Sequence, residues 1–102
     1  MEKFEVRYTS EAKEDMIRLY QFYLEKGDLE LAKRALEAIE VSIYQLRNFP
    51  YNCRKVIASN SYLREIIIPF ATTGYLAIYE IDPIENAVTI LAVRHQREDD
   101  YH

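Results

Sequence analysis

Two neighbouring stretches decide the fold: Ile39-Glu40-Val41-Ser42-Ile43-Tyr44-Gln45-Leu46-Arg47-Asn48-Phe49-Pro50, and, past a loop, Tyr62-Leu63-Arg64-Glu65-Ile66-Ile67-Ile68. In the first, Ile39, Ile43 and Leu46 continue a stripe begun by Ala32, Ala35 and Leu36. Apolar residues at that spacing fall on one face of a helix, with charge on the other. Pro50 lacks an N–H and stops it. The second stretch and two more apolar runs, Tyr75 to Ile81 and Ala87 to Arg94, have strand length. The hydrophobic period thus changes from about 3.6 to about 2 after Pro50.

The pattern extends in both directions from there. Phe4-Glu5-Val6-Arg7-Tyr8 alternates apolar with polar and reads as a short strand with Phe4, Val6 and Tyr8 on one face. Ser10 is the expected cap of a first helix, with Glu11, Glu14 and Asp15 near its positive end. Ala12, Met16, Leu19, Tyr20 and Tyr23 form its apolar face, and Gly27 can take the left-handed conformation that ends it. Asp28 can cap the next helix at once. The reading is a helix hairpin over residues 10 to 26 and 28 to 48, then a loop from Tyr51 to Ser61. Ala71-Thr72-Thr73-Gly74 and Asp82-Pro83-Ile84-Glu85-Asn86 are hairpin-sized links, so the last three runs form an antiparallel meander. The fold class is α+β in the order βααβββ, a first strand and a helix hairpin packed on an antiparallel sheet. Periodicity does not say which strand neighbours the first. Strands as continuously apolar as Ile66-Ile67-Ile68 call for cover on both faces, and two helices cover one; the other face is left for a partner.

A chain of 102 residues is short of the roughly 150 typical of a domain, so residues 1 to 102 are expected to form one. The single cysteine, Cys53, cannot close an internal disulfide, and no apolar run approaches the length of a membrane span. The expected setting is the cytoplasm, without membrane contact. Thirteen Lys and Arg against seventeen Asp and Glu give a net charge of −4. That field repels nucleic acid, so direct nucleic-acid binding by this chain alone is not expected. One stretch runs the other way. From Val41 to Arg64 there is no acidic residue, while Arg47, Arg54, Lys55 and Arg64 are cationic. This is either a solvated loop or a patch for a partner.

Two His and one Cys without metal-ligand spacing exclude a metal site, and Gly27 and Gly74 are too far apart for a phosphate-binding loop. No cofactor is expected. Nothing in the sequence places Cys53 beside His95, as a thiol nucleophile would require. Of the nine tyrosines, Tyr8, Tyr20 and Tyr23 suit core-edge positions, whereas Tyr51, Tyr62, Tyr75 and Tyr101 are residues of the kind that interfaces favour. The richest stretch is the end: Val93-Arg94-His95-Gln96-Arg97-Glu98-Asp99-Asp100-Tyr101-His102. As chemistry, His95 could take the proton of an RNA 2′-hydroxyl, Tyr101 or His102 could protonate the leaving oxygen, and Arg64 or Arg97 could stabilise phosphate charge. As structure, the same residues make a salt-bridged, solvated terminus.

Arg94-His95-Gln96-Arg97-Glu98-Asp99-Asp100-Tyr101, together with Leu63-Arg64-Glu65-Ile66 ahead of Pro69-Phe70, and Gly74-Tyr75 followed by Ile78-Tyr79-Glu80-Ile81, resembles the ParE branch of the RelE/ParE toxin superfamily. The resemblance spans nearly the whole chain and is most specific in the terminal string. It implies the toxin of a type II toxin–antitoxin system, of the kind linked to plasmid stabilisation and growth arrest, held inactive by a ParD-like antitoxin whose flexible C-terminal part wraps it. ParE-type toxins are associated with DNA gyrase, whereas RelE-type relatives cut messenger RNA on the ribosome. The acidic charge favours gyrase inhibition by protein contact, with Arg94, His95, Gln96, Arg97 and Tyr101 as target-binding residues and no catalytic step. The alternative, a ribosome-dependent endoribonuclease, would use Arg64, His95 and Tyr101 as catalytic residues. A homodimer or a toxin–antitoxin hetero-oligomer is compatible with either.

Overall fold

The computed structural model describes residues 3–96. In chain order the elements are β1 (Glu5–Tyr8), α1 (Ser10–Glu25), α2 (Leu29–Tyr44), β2 (Arg54–Lys55), β3 (Leu63–Phe70), β4 (Thr73–Asp82) and β5 (Ala87–His95). The strands form one sheet in the order β1-β5-β4-β3-β2. β3, β4 and β5 are the expected antiparallel meander. β1 lies beside β5 and runs parallel to it, with Val6 opposite Val88 and Tyr8 opposite Ile90. The sheet is therefore mixed, because a strand joined to its neighbour through a long crossover is free to run parallel.

The loop expected from Tyr51 to Ser61 carries more structure than its composition suggested. Pro50–Asn52 form a turn of 3₁₀ helix, and Arg54 and Lys55 pair with Glu65 and Arg64 as the short edge strand β2. Two residues are too few to leave a periodic signal.

The helix hairpin follows the sequence closely, with three local differences. Thr9 rather than Ser10 caps α1: its Oγ1 accepts the Ala12 N–H at 3.1 Å, and Ser10 is the first helical residue. The same hydroxyl lies 3.1 Å from the Ile90 carbonyl and 3.3 Å from that of Leu91, where β5 is shifted by one residue against Ile78 and Tyr79 of β4. Thr9 thus serves two elements, and only the tertiary fold distinguishes it from its neighbour. α2 ends at Tyr44 and tightens into a 3₁₀ turn, Gln45–Arg47, before Phe49, which precedes a proline and is excluded from helical geometry. The third difference concerns Leu36, which is half-buried at the margin of the α2 stripe, whereas Ile39, Ile43 and Leu46 are fully buried.

Between the helices the chain turns as expected. Gly27 has φ of 79°, its N–H donates to the Leu24 carbonyl at 2.9 Å, and the Asp28 N–H donates to that of Tyr23 at 3.0 Å. This pair of bonds satisfies the last carbonyls of α1 in a left-handed termination that glycine adopts without strain. Asp28 then caps α2 by accepting the Leu31 N–H at 2.9 Å.

α1 lies over β5 and α2 over β3. The core between helices and sheet holds Ala12, Leu19, Ala35, Ile39 and Ile43 against Ile68, Tyr75, Ala77, Tyr79, Val88, Ile90 and Val93. Strand alternation puts Ile67, Leu76 and Arg94, which are partners in register, on the opposite face. Ile67 is 46% exposed there, so the helices leave part of the apolar sheet uncovered.

Candidate functional site

The C-terminal end of β5 brings its residues to the β3–β4 hairpin. That hairpin is tighter than its sequence implied: Phe70 pairs with Thr73 and Pro69 with Gly74, so only Ala71 and Thr72 lie in the turn. Ala71 has φ of 54°, a left-handed conformation uncommon for a residue with a Cβ. Thr73 and Gly74, read from sequence as link residues, therefore belong to β4.

His95 pairs in register with Tyr75, and its Nε2 lies 2.9 Å from Thr73 Oγ1, an interaction whose donor depends on the imidazole tautomer. The imidazole also meets the Tyr75 ring edge-on, with centroids 5.6 Å apart. Tyr75 is 1% exposed, donates from its hydroxyl to that of Tyr23 on α1 at 3.4 Å, and packs its ring 5.9 Å from that of Phe70. Burial, reinforced by the Tyr23 hydroxyl, pushes the Tyr75 phenol well above its ordinary range, so it remains a neutral donor. The surface over this cluster is a groove of about 590 Å³ lined by Leu19, Phe22 and Tyr23 of α1, the hairpin turn and His95.

Arg94 occupies the other face of β5, opposite Leu76, so Arg94 and His95 straddle the sheet. Gln96 follows His95 and is half-buried. Arg97, Tyr101 and His102 lie outside the described residues. Glu65 on β3 accepts from Arg54 Nε at 2.7 Å.

Arg64 stands elsewhere. It pairs with Tyr79, four residues along β4 from Tyr75, the partner of His95. With about 3.4 Å per residue along the strand and about 4.8 Å between strands, the Arg64 and His95 backbones are about 17 Å apart. The Arg64 guanidinium is committed locally, donating to the carbonyls of Ser61 at 2.8 Å, Tyr51 at 2.8 Å and Cys53 at 2.7 Å, and it lies over the Tyr51 ring. Its chemistry is that of a clip on the loop between α2 and β3. Cys53 belongs to this end too, beside Arg64 and Tyr79 and away from His95.

The basic stretch resolves in the same way. Arg54 bridges Glu65, Arg64 holds backbone, and Arg47 lies over the Tyr44 ring with its guanidinium 4.5 Å from the centroid. Three of its four cations are spent on contacts within the protein. Among the described residues, no three His, Cys, Asp or Glu side chains converge as a metal site would require, and no helix is long and apolar enough to cross a membrane.

Sequence reasoning missed Thr73 and the Tyr23–Tyr75 pair. The signal that could have found Thr73 is hairpin register, since a two-residue turn at Ala71-Thr72 puts Thr73 in β4, two pairs from Tyr75 and on the same face, beside the strand bearing His95.

The same architecture, two helices on one face of a five-stranded mixed sheet, recurs in toxins of toxin–antitoxin pairs. Residues 6–100 match the model of the ParE toxin of the parDE type II toxin–antitoxin system, and the chain belongs to that family. No curated protein sequence matches it. Among solved structures, it is similar to the chromosomal ParDE system of P. aeruginosa, with a TM-score of 0.70 and 15% identity over 91% of this chain and 96% of the other. The RelBE2 toxin–antitoxin complex of Mycobacterium tuberculosis superposes with a TM-score of 0.65 and 24% identity over 93% of each chain. A mutant of E. coli RelE in the free state gives 0.68 and 12% identity over 98% of this chain and 90% of the other. At these identities the likeness is one of fold, and it extends to both ParE-type and RelE-type toxins.

Proposed function

We propose that this toxin arrests growth by binding DNA gyrase through a protein contact centred on Arg94, His95, Gln96, Arg97 and Tyr101, with no bond made or broken by its own side chains. The observation that carries the reading is the ParE family match, which runs through the C-terminal segment to residue 100. Two physical features support it. The net charge of −4 opposes entry into an RNA-lined site, and three cations of the basic stretch are engaged within the protein. A ribonuclease built on Arg64, His95 and Tyr101 would need the Arg64 guanidinium at the same phosphate as His95, and about 17 Å of sheet separates their backbones.

The partner that restrains the toxin is a cognate ParD-like antitoxin in the cytoplasm, bound as a helix and an extended segment in the groove between helix hairpin and sheet. Support comes from exposed Phe22 on α1, which lines the groove against the sheet, and from the similar structures of P. aeruginosa and M. tuberculosis, a ParDE system and a RelBE2 toxin–antitoxin complex. The decisive experiment compares the purified toxin on gyrase supercoiling and on translating ribosomes, with and without antitoxin. Loss of supercoiling with accumulated cleavage complexes, relieved by antitoxin, is expected. Intact gyrase activity alongside message cleavage that His95→Ala abolishes would overturn the proposal in favour of the RelE-type reaction.

A further inference from the structure

Three contacts converge where the chain leaves β5. His95 Nε2 meets Thr73 Oγ1 at 2.9 Å, the His95 ring stands on Tyr75, and the side-chain amide of Gln96 lies over Gly74. Glycine is required at 74 by the neighbouring strand, because a Cβ there would sit 2.4 Å from the Ile68 carbonyl oxygen; the same Cβ would lie 3.3 Å from Gln96 Nε2, so the amide rests close over this position. The platform beneath is rigid, since Tyr75 is buried and ties α1 to the sheet through Tyr23. The turn that presents Thr73 is itself held in an uncommon backbone conformation at Ala71. A left-handed non-glycine residue persists where surrounding structure over-determines it, and such residues gather at sites that position function.

We infer that Thr73 and Gly74 are positioning residues: the β3–β4 hairpin fixes the place and orientation of His95 and Gln96, two residues of the proposed target-binding set. This rests on the functional reading above only in giving those two residues their role. The physical reason is pre-organisation. A contact residue that can swing loses more freedom on binding than one already held, and the difference appears as lost affinity.

The test uses the full chain with Thr73→Val, which keeps the β-branched shape and removes the hydroxyl, and Thr73→Ser, which restores it. Thr73→Val should raise the toxin concentration for half-inhibition of gyrase about fivefold, the equivalent of one ordinary hydrogen bond, and should raise the expression level needed for growth arrest similarly. Thr73→Ser should return both to the wild-type value. In ¹⁵N NMR, Thr73→Val should shift the His95 ring nitrogens and lower the order parameter of the Gln96 amide, while Thr73→Ser should not. Equal potency of Thr73→Val and wild type at equal melting temperature would overturn the inference, as would unchanged His95 ring resonances. If wild-type toxin leaves gyrase untouched, the functional reading fails by itself, and the growth-arrest and NMR series still decides whether the hairpin positions the two residues.

Discussion

Tyr79 is fully buried, and its hydroxyl donates to the Pro50 carbonyl at 2.6 Å. Its register partner Arg64 holds the carbonyls of Tyr51 and Cys53, so adjacent strands grip the residues that follow α2. Tyr79→Phe removes the donor with almost no change of shape and leaves a buried carbonyl without it. Stranding one partner of a buried hydrogen bond costs about 1–3 kcal/mol, so a loss of about 2 kcal/mol is expected at pH 7, with a melting temperature about 10 °C lower. Urea titration should show the lower midpoint at unchanged slope, because the surface exposed on unfolding is the same. The penalty should also depend on pH in one direction. Burial raises the Tyr79 phenol well above its ordinary value, so the native state holds a proton that the unfolded chain releases above a pKa of about 10. The stabilisation is fully present below that pH and is lost as pH rises towards the folded pKa, at about 1.4 kcal/mol per pH unit. Tyr75 behaves likewise in both proteins and cancels from the comparison. The gap between wild type and Tyr79→Phe should therefore narrow above pH 10. A gap under about 0.5 kcal/mol at pH 7, or one constant up to pH 11, would refute the reasoning.

Three further substitutions test the fold and the site. Thr9→Ala should cost about 1–2 kcal/mol in chemical denaturation, as loss of a helix cap, while Ser10→Ala should stay within about 0.5 kcal/mol; the reverse ranking would return the cap to Ser10. Arg64→Ala should destabilise by about 2 kcal/mol through three lost carbonyl contacts, and its toxicity should fall only as far as its folded fraction does. An Arg64→Ala protein with wild-type melting and no toxicity would place Arg64 in the functional site.

The order of elements was legible because each long element repeats its period. Ile39, Ile43 and Leu46 at helical spacing, and the apolar runs from Tyr62, Tyr75 and Ala87, each carry enough residues to separate helix from strand. Gly27 and Asp28 were legible for a local reason, since a left-handed termination and a side-chain cap are decided within a few residues. The terminal string from Arg94 to Tyr101 pointed to the family, and the family match includes most of it. β2 was not legible, because two residues leave no pattern. The cap at Thr9 was not either, because local preference favours serine over threonine as a cap, and the choice of Thr9 depends on Ile90 and Leu91 some eighty residues away in sequence.

What the sequence determined by itself is therefore whatever depends on neighbours along the chain: the helix hairpin and the meander. What only the tertiary structure decided is pairing at a distance. It put β1 parallel to β5, set the hairpin turn to Ala71-Thr72 and so brought Thr73 to His95, and left Arg64 at the other end of the sheet clipping a loop. The physical reason lies in strand geometry. Side chains two residues apart share a face whatever the register, so periodicity identifies the faces, but residues meet across strands only where register aligns them, and register is set by turn length and by packing of the whole layer.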